Sequence, residues 1–228
     1  MLQQEEVLGR QAKRKLLEHE AFELLAKYKI PHPPYGLAKT PEEAGELSEK
    51  VGFPVVLKVV SPDISHKTDV GGVLLGIRTR EDAVKGFEQV VKNVKAKAPQ
   101  ARIVGVLVQR MVPKGVEVIV GGIRDTTFGI VIMFGLGGIF TELLRDVTFR
   151  IWPFTRREAE EMIGEIKSSE LLRGYRGTPP VNTSSLADII VKLGVLMEEN
   201  PGIESADLNP VVAYSDASLV VDARFILK

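Results

Sequence analysis

Seven short segments rich in β-branched residues alternate along the chain with stretches of helical periodicity, and this interleaving is the strongest constraint on the fold. They are Pro54–Val60, Val73–Ile77, Ile103–Arg110, Gly115–Gly122, Phe128–Phe134, Pro210–Tyr214 and Leu219–Ile226. Ile123–Thr127 and Ser215–Ser218 are short polar connections suited to hairpins, so antiparallel pairs are expected. The expected class is therefore α+β, in the broad α/β sense, rather than a purely parallel sheet.

The helices announce themselves by caps and stripes. Leu17, Ala21, Leu24, Leu25 and Tyr28 recur at helical spacing until Pro31, Pro33 and Pro34 end the pattern. Thr40 with Glu43, Thr79 with Asp82 and Thr155 with Glu158 each place a hydroxyl three residues before an acid, the pattern of a capped helix start. After Thr79 an apolar face follows at Val84, Phe87, Val91 and Val94. Another follows Thr183–Ser185, at Leu186, Ile190, Leu193 and Met197. A change of pattern near Gly105 suggests two lobes, 20–105 and 106–228, joined by an N-terminal helix over 1–19.

With 228 residues a sizeable core is available, and thirty basic residues against thirty acidic ones give no global attraction to a polyanion. The cluster Arg10–Lys15 reads as a solvated helix face, so no nucleic-acid partner is expected. The absence of cysteine excludes disulfides, thiolate metal sites and a thiol nucleophile. No apolar run reaches the roughly 18–20 residues needed to span a bilayer, and Met1–Arg10 lacks a signal-like apolar stretch. A cytoplasmic protein without membrane contact is expected.

Several residues could carry chemistry. Lys58 interrupts an apolar strand, Val55–Val60, where an ammonium either meets an anion such as a phosphate or points outward from an edge. The polar loop Ser61–Gly72 follows; it contains His66 and ends in Gly71 and Gly72, whose flexibility lets backbone amides approach an oxyanion. It is neither a Walker A loop nor a dinucleotide fingerprint, and a glycine pair before a strand is also an ordinary turn. A loop histidine can act as base, ligand or phosphoryl-carrying nucleophile, or be a plain surface residue. Glu117 lies among valines and Glu142 follows a glycine-rich run; each either orients reacting groups or faces water. Asp207 and Asn209, two apart, share one strand face, and Asp222 is on the next strand, a set of hard oxygens suited to magnesium held partly by phosphates.

Together these pieces resemble the β subunit of an ADP-forming acetyl-CoA (acyl-CoA) synthetase, a relative of succinyl-CoA synthetase in the ATP-grasp superfamily. The likeness rests on Ser61–Val73, on GLGGIFTELLRDVTFR at Gly135–Arg150, on Gly174-Tyr175-Arg176-Gly177 and on Asp207–Pro210. It implies a two-lobed ATP-grasp fold with a nucleotide cleft, and an acid-thiol ligase that converts acyl-CoA reversibly to free acid and CoA while making ATP. It further implies that His66 is the phosphohistidine and that Lys58 neutralises ADP or ATP phosphates covered by the amides of Val70, Gly71 and Gly72. Gln109, Arg110, Met111 and Val112 would line the adenine, with Glu117 near the ribose. Asp207, Asn209 and Asp222 would hold Mg2+, Asp207 would also orient His66, and Glu142 would act in catalysis. A CoA-binding α subunit with its own phosphohistidine loop, assembled as α2β2, would complete the enzyme, since the chain shows no CoA-binding fold and stops after the magnesium strands. A stand-alone ATP-grasp carboxylate ligase and a non-catalytic nucleotide-sensing module of an acyltransferase are the competing readings.

Overall fold

The computed structural model describes residues 14–138, 146–174 and 179–228. Two antiparallel sheets organise them. The smaller has four strands in the order β1 (Tyr35–Ala38), β4 (Gly105–Arg110), β2 (Val55–Val60) and β3 (Val73–Ile77). The larger runs β10 (Ala223–Leu227), β8 (Ile203–Ala213), β5 (Val116–Asp125), β6 (Gly129–Leu136) and β7 (Val147–Ile151), with β9 (Ser218–Val220) also paired to β8.

Alternation along the strands decides which side chains are buried where. Val55, Leu57 and Val59 pack with Phe87, Val90 and Val94 beneath α2 (Pro41–Val51) and α3 (Arg80–Lys97), while Val56, Lys58 and Val60 face the other way. Thr40 and Thr79 cap those helices as the sequence predicts, accepting from the amides of Glu43 and Asp82. In the larger unit α4 (Arg156–Glu165) and α5 (Thr183–Glu199) cover the inner face of the sheet, with Leu186, Ile190, Leu193 and Met197 all buried. Gly194 is required there: a Cβ would sit 2.3 Å from the Trp152 ring.

The structure corrects the expected organisation in three places. Residues 14–16 are not helical; Leu16 N donates to Phe225 O and Leu227 N to Arg14 O, so this stretch lies along β10. Helix α1 (Glu18–Lys27) buries Ala21, Phe22 and Leu25 in the core of the larger sheet, although it precedes the smaller one in sequence. The passage from one sheet to the other falls at residues 111–115 rather than near Gly105, because β4 pairs with β1 and β2. The sequence reading also missed β1 and β7, merged β9 and β10 into one strand over Leu219–Ile226, and placed a connection at Ile123–Thr127 where β5 in fact continues to Asp125.

One polar anchor ties the larger unit together. The buried Asp146 carboxylate accepts from the amides of Lys167 (2.7 Å) and Ser168 (2.8 Å) and from the Ser168 hydroxyl. Burial disfavours its charge, but these donors outweigh burial and hold its pKa below the ordinary aspartate value. A depressed carboxyl stabilises the fold above the unfolded-state pKa, and that contribution disappears as pH falls through the folded value. Asp146→Asn is therefore expected to lower the melting temperature near neutral pH and to converge with wild type in acid. Parallel melting curves across pH 2–7 would contradict this.

Candidate active site

The cleft between the sheets is built by residues from both. Lys58, on β2, is buried, and β2 is an interior strand, so the outward edge-strand reading is excluded. Its Nζ lies 2.7 Å from Glu18 Oε1 and 2.9 Å from Val221 O. Gln109, one residue beyond Val108 on β4 and also buried, donates to the same Val221 carbonyl at 3.1 Å. One backbone oxygen between β9 and β10 thus ties together two neighbouring strands of the smaller sheet, β2 and β4.

Two adjoining hollows flank this tie. The first, about 350 Å3, lies at the passage between sheets and is lined by Val56, Leu75, Gln109, Arg110, Met111, Val112, Glu117 and Val212 among others. Leu75 is 67% exposed there, an apolar surface that a flat ring would cover. The second, about 400 Å3, is lined on one side by Ser65, His66, Lys67, Thr68 and Asp69 and on the other by Pro210, Asp222 and Arg224. Lys58, Val73, Pro210 and Val221 border both.

His66 is exposed at this second hollow. Arg224 donates to the carbonyl of the preceding Ser65 at 3.1 Å, and Lys67 Nζ bonds both Glu18 Oε2 and, at 3.2 Å, Asp222 Oδ2. Burial disfavours the Lys67 ammonium, but the charges of Glu18 and Asp222 prevail and raise its pKa above the usual lysine value. The histidine is therefore presented on a loop fastened at both neighbouring residues.

Asp207 and Asn209 lie on the face of β8 opposite the buried Ala206 and Leu208, and Asn209 N donates to Asp222 O at 3.1 Å. Burial raises the Asp207 pKa, Arg224 opposes this, and the nearby Asp222 charge adds to the rise. Among the described residues no three acids or histidines form a metal site on their own. Two close carboxylates and an amide are nonetheless the hard donors that suit a divalent cation completing its shell with phosphate oxygens.

Other expectations fare differently. Gly71 N donates to Thr68 O and Gly72 N to Lys67 O, so these two amides are engaged within the loop instead of facing a ligand. The glycine at 72 has a packing cause, since a Cβ would meet Val59 at 2.5 Å. Val70 is half-buried and packs against the core of the smaller unit. Among the described residues no hydrogen bond joins Asp207 to His66. Glu142, with Tyr175, Arg176 and Gly177, lies outside the described residues. The reading of the sequence did not single out Glu18, Lys67 or Arg224. Glu18 and Lys58 are forty positions apart, and no local pattern announces their contact.

The ATP-grasp domain family profile matches residues 8–227. The chain belongs to the ATP-grasp family. Within it, this is a β subunit of the ADP-forming acetate/acyl-CoA ligase type, related to the succinate–CoA ligase β subunit. It is 50% identical over 214 residues to the acetate–CoA ligase [ADP-forming] I subunit β of Pyrococcus furiosus, covering 94% of this chain and 92% of that one. A longer relative, acetate–CoA ligase [ADP-forming] I of Archaeoglobus fulgidus, is 47% identical over 208 residues, 91% of this chain but 30% of its own length. Among solved structures, the dinucleotide-forming acetyl-coenzyme A synthetase 1 of Ca. Korarchaeum cryptofilum, with coenzyme A and Ca-AMPCP, superposes with a TM-score of 0.92 at 48% identity over 94% of each chain. Another structure of that enzyme carries a phosphorylated phosphohistidine segment, with a TM-score of 0.89, 46% identity and 94% of each chain covered. In ATP-grasp terms the two sheets are the two lobes, and the hollows lie in the cleft between them. No helix among the described residues is long and apolar enough to cross a membrane.

Proposed function

We propose that this chain is the nucleotide-handling subunit of an ADP-forming acyl-CoA ligase and that His66 carries the phosphoryl group to ADP. The single observation behind the residue assignment is that the His66 hollow and the apolar hollow at residues 109–115 meet at Lys58. A base seated against Val56, Leu75, Met111 and Val212 would direct its phosphates past Lys58 toward the imidazole.

The transfer breaks the bond between phosphorus and an imidazole nitrogen as the terminal oxygen of ADP forms its own bond to phosphorus. Such transfers need mainly positioning and charge neutralisation. Lys58 supplies a positive charge, Glu117 is placed beside the sugar, and Asp207, Asn209 and Asp222 would hold Mg2+, which neutralises phosphate oxygens when bound. For the amides of Gly71 and Gly72 to cover the phosphates, their turn would have to open.

Labelling tests the scheme directly. Incubating the chain and its α partner with γ-labelled ATP and magnesium should give an acid-labile, base-stable phosphoprotein whose label lies on this chain. Label confined to the partner would remove His66 from the route.

Need for a CoA-binding partner is supported by the β-subunit relatives and by single chains about three times as long. The outer face of the larger sheet offers it a surface. The register aligns Ile123, Val131 and Ile151 in one row, and Asp207, Gly121, Met133 and Phe149 in the next, so an apolar strip runs directly into the site. Ile123, Phe149 and Ile151 are each about half exposed. The double variant Phe149→Asp, Ile151→Asp is expected to weaken association with the α subunit by about tenfold or more, read by sedimentation of the mixture. Undiminished association would place the contact elsewhere.

A further inference from the structure

We propose that Glu18 is a positioning residue for the phosphate end of the nucleotide, acting through Lys58 and Lys67. The inference rests on the nucleotide reading of the cleft but not on phosphorylation of His66.

Glu18 reaches the cleft from an unexpected direction. It opens α1, whose Ala21, Phe22 and Leu25 are fixed in the core of the larger lobe, while Lys58 belongs to the smaller lobe and Lys67 to the histidine loop. Leu17 N donates to Glu20 Oε2 at 2.7 Å and closes the first turn beneath it. The Glu18 carboxylate is 4% exposed, and each oxygen takes one ammonium, Oε1 from Lys58 and Oε2 from Lys67.

Counting donors gives the functional meaning. An ammonium has three N–H groups. Lys58 directs one to Glu18 and one to Val221 O; Lys67 directs one to Glu18 and one to Asp222. Among the described residues each keeps one donor without a partner, and both side chains border the hollow that holds His66. One buried acid therefore fixes where two donors from separate parts of the chain point. Without it the two like charges would move apart, and neither remaining donor would have a set direction.

A simpler role is neutralisation of buried charge, and the two roles predict opposite signs. If only charge matters, removing the acid makes the cleft more positive and tightens binding of a polyanion. If placement matters, binding weakens, and it weakens even when the charge is kept.

Calorimetric titration of the full chain with Mg·ADP and with adenosine separates them, using wild type, Glu18→Gln, Glu18→Asp and Lys58→Met. Adenosine affinity should stay within about twofold of wild type in both Glu18 variants, which also shows that they are folded. ADP affinity should fall about tenfold or more in both Glu18 variants and in Lys58→Met, the scale of a lost charge-assisted hydrogen bond. Glu18→Asp preserves the charge and shortens the reach, so it remains decisive if Glu18→Gln does not fold. ADP binding that is unchanged or tighter in Glu18→Asp, or a loss shared equally by adenosine, would overturn the proposal. Wild-type protein that binds neither ligand would instead overturn the nucleotide reading, and Glu18 would then have no phosphate to position.

Discussion

Replacing His66 by alanine is expected to leave the fold and ADP affinity unchanged while lowering ATP formation by the reconstituted complex roughly 10^3-fold or more, the scale seen when a covalent nucleophile is removed. The expectation of an intact fold follows from exposure: the His66 side chain faces the hollow and packs into neither core. The loop is held by its neighbours, through Ser65 O and Lys67 Nζ, and alanine at 66 keeps both ties. Melting temperature and ADP affinity should therefore match wild type, while phosphoprotein label disappears and turnover falls by that factor. A complex that still made ATP at the wild-type rate would mean that phosphate reaches ADP without this imidazole.

The largest structural effect is expected at Phe22. This side chain is fully buried, with ring centroids 5.2 Å from His32 and 5.0 Å from Tyr35. Phe22→Ala should cost about 3–5 kcal/mol through lost burial and a residual cavity. At roughly 2–4 °C per kcal/mol for a domain of this size, that is a melting temperature lower by about 6–20 °C. Because the same helix carries Glu18, ADP affinity should fall in this variant as well, although Phe22 borders neither hollow. Phe22→Leu, which fills more of the space, should recover most of both losses. A melting point within about 2 °C of wild type in Phe22→Ala would show that α1 is not anchored as described.

The parts of this molecule that were legible in the sequence are those encoded within a few residues. Threonine caps at 40, 79 and 155, the buried stripe of α5 and the β-branched runs of β5 and β6 and of the second half of β8 are local signals, and the structure has them. Strand β1 was invisible because it has four residues, one of them Gly36, against which Leu47 packs closely. The face shared by Asp207 and Asn209 followed from a two-residue period, while the misfit of Lys58 among valines left an anion partner and an outward edge position equally open. Which anion meets Lys58 did not follow: it is Glu18, delivered by a helix from the other lobe, and contacts of that range leave no trace in spacing. The loop glycines misled in the opposite way, since a phosphate cradle and a tight turn ask for the same residue. Only the hydrogen bonds of Gly71 and Gly72 distinguish them.

The antiparallel pairing of residues 14–16 with 225–227 has a consequence for how such a unit can be carried. Arg14 and Leu227 sit opposite each other on neighbouring extended segments, which in general lie about 4.8 Å apart, so the path into the fold and the path out of it coincide. A unit with adjacent entry and exit points can be spliced into a larger polypeptide, or released from one, without unthreading a strand. The same sequence pattern occurs both in chains of about this length and as under a third of a much longer one. Gene fusion and fission would then change the covalent connection to the rest of an enzyme while leaving the cleft intact.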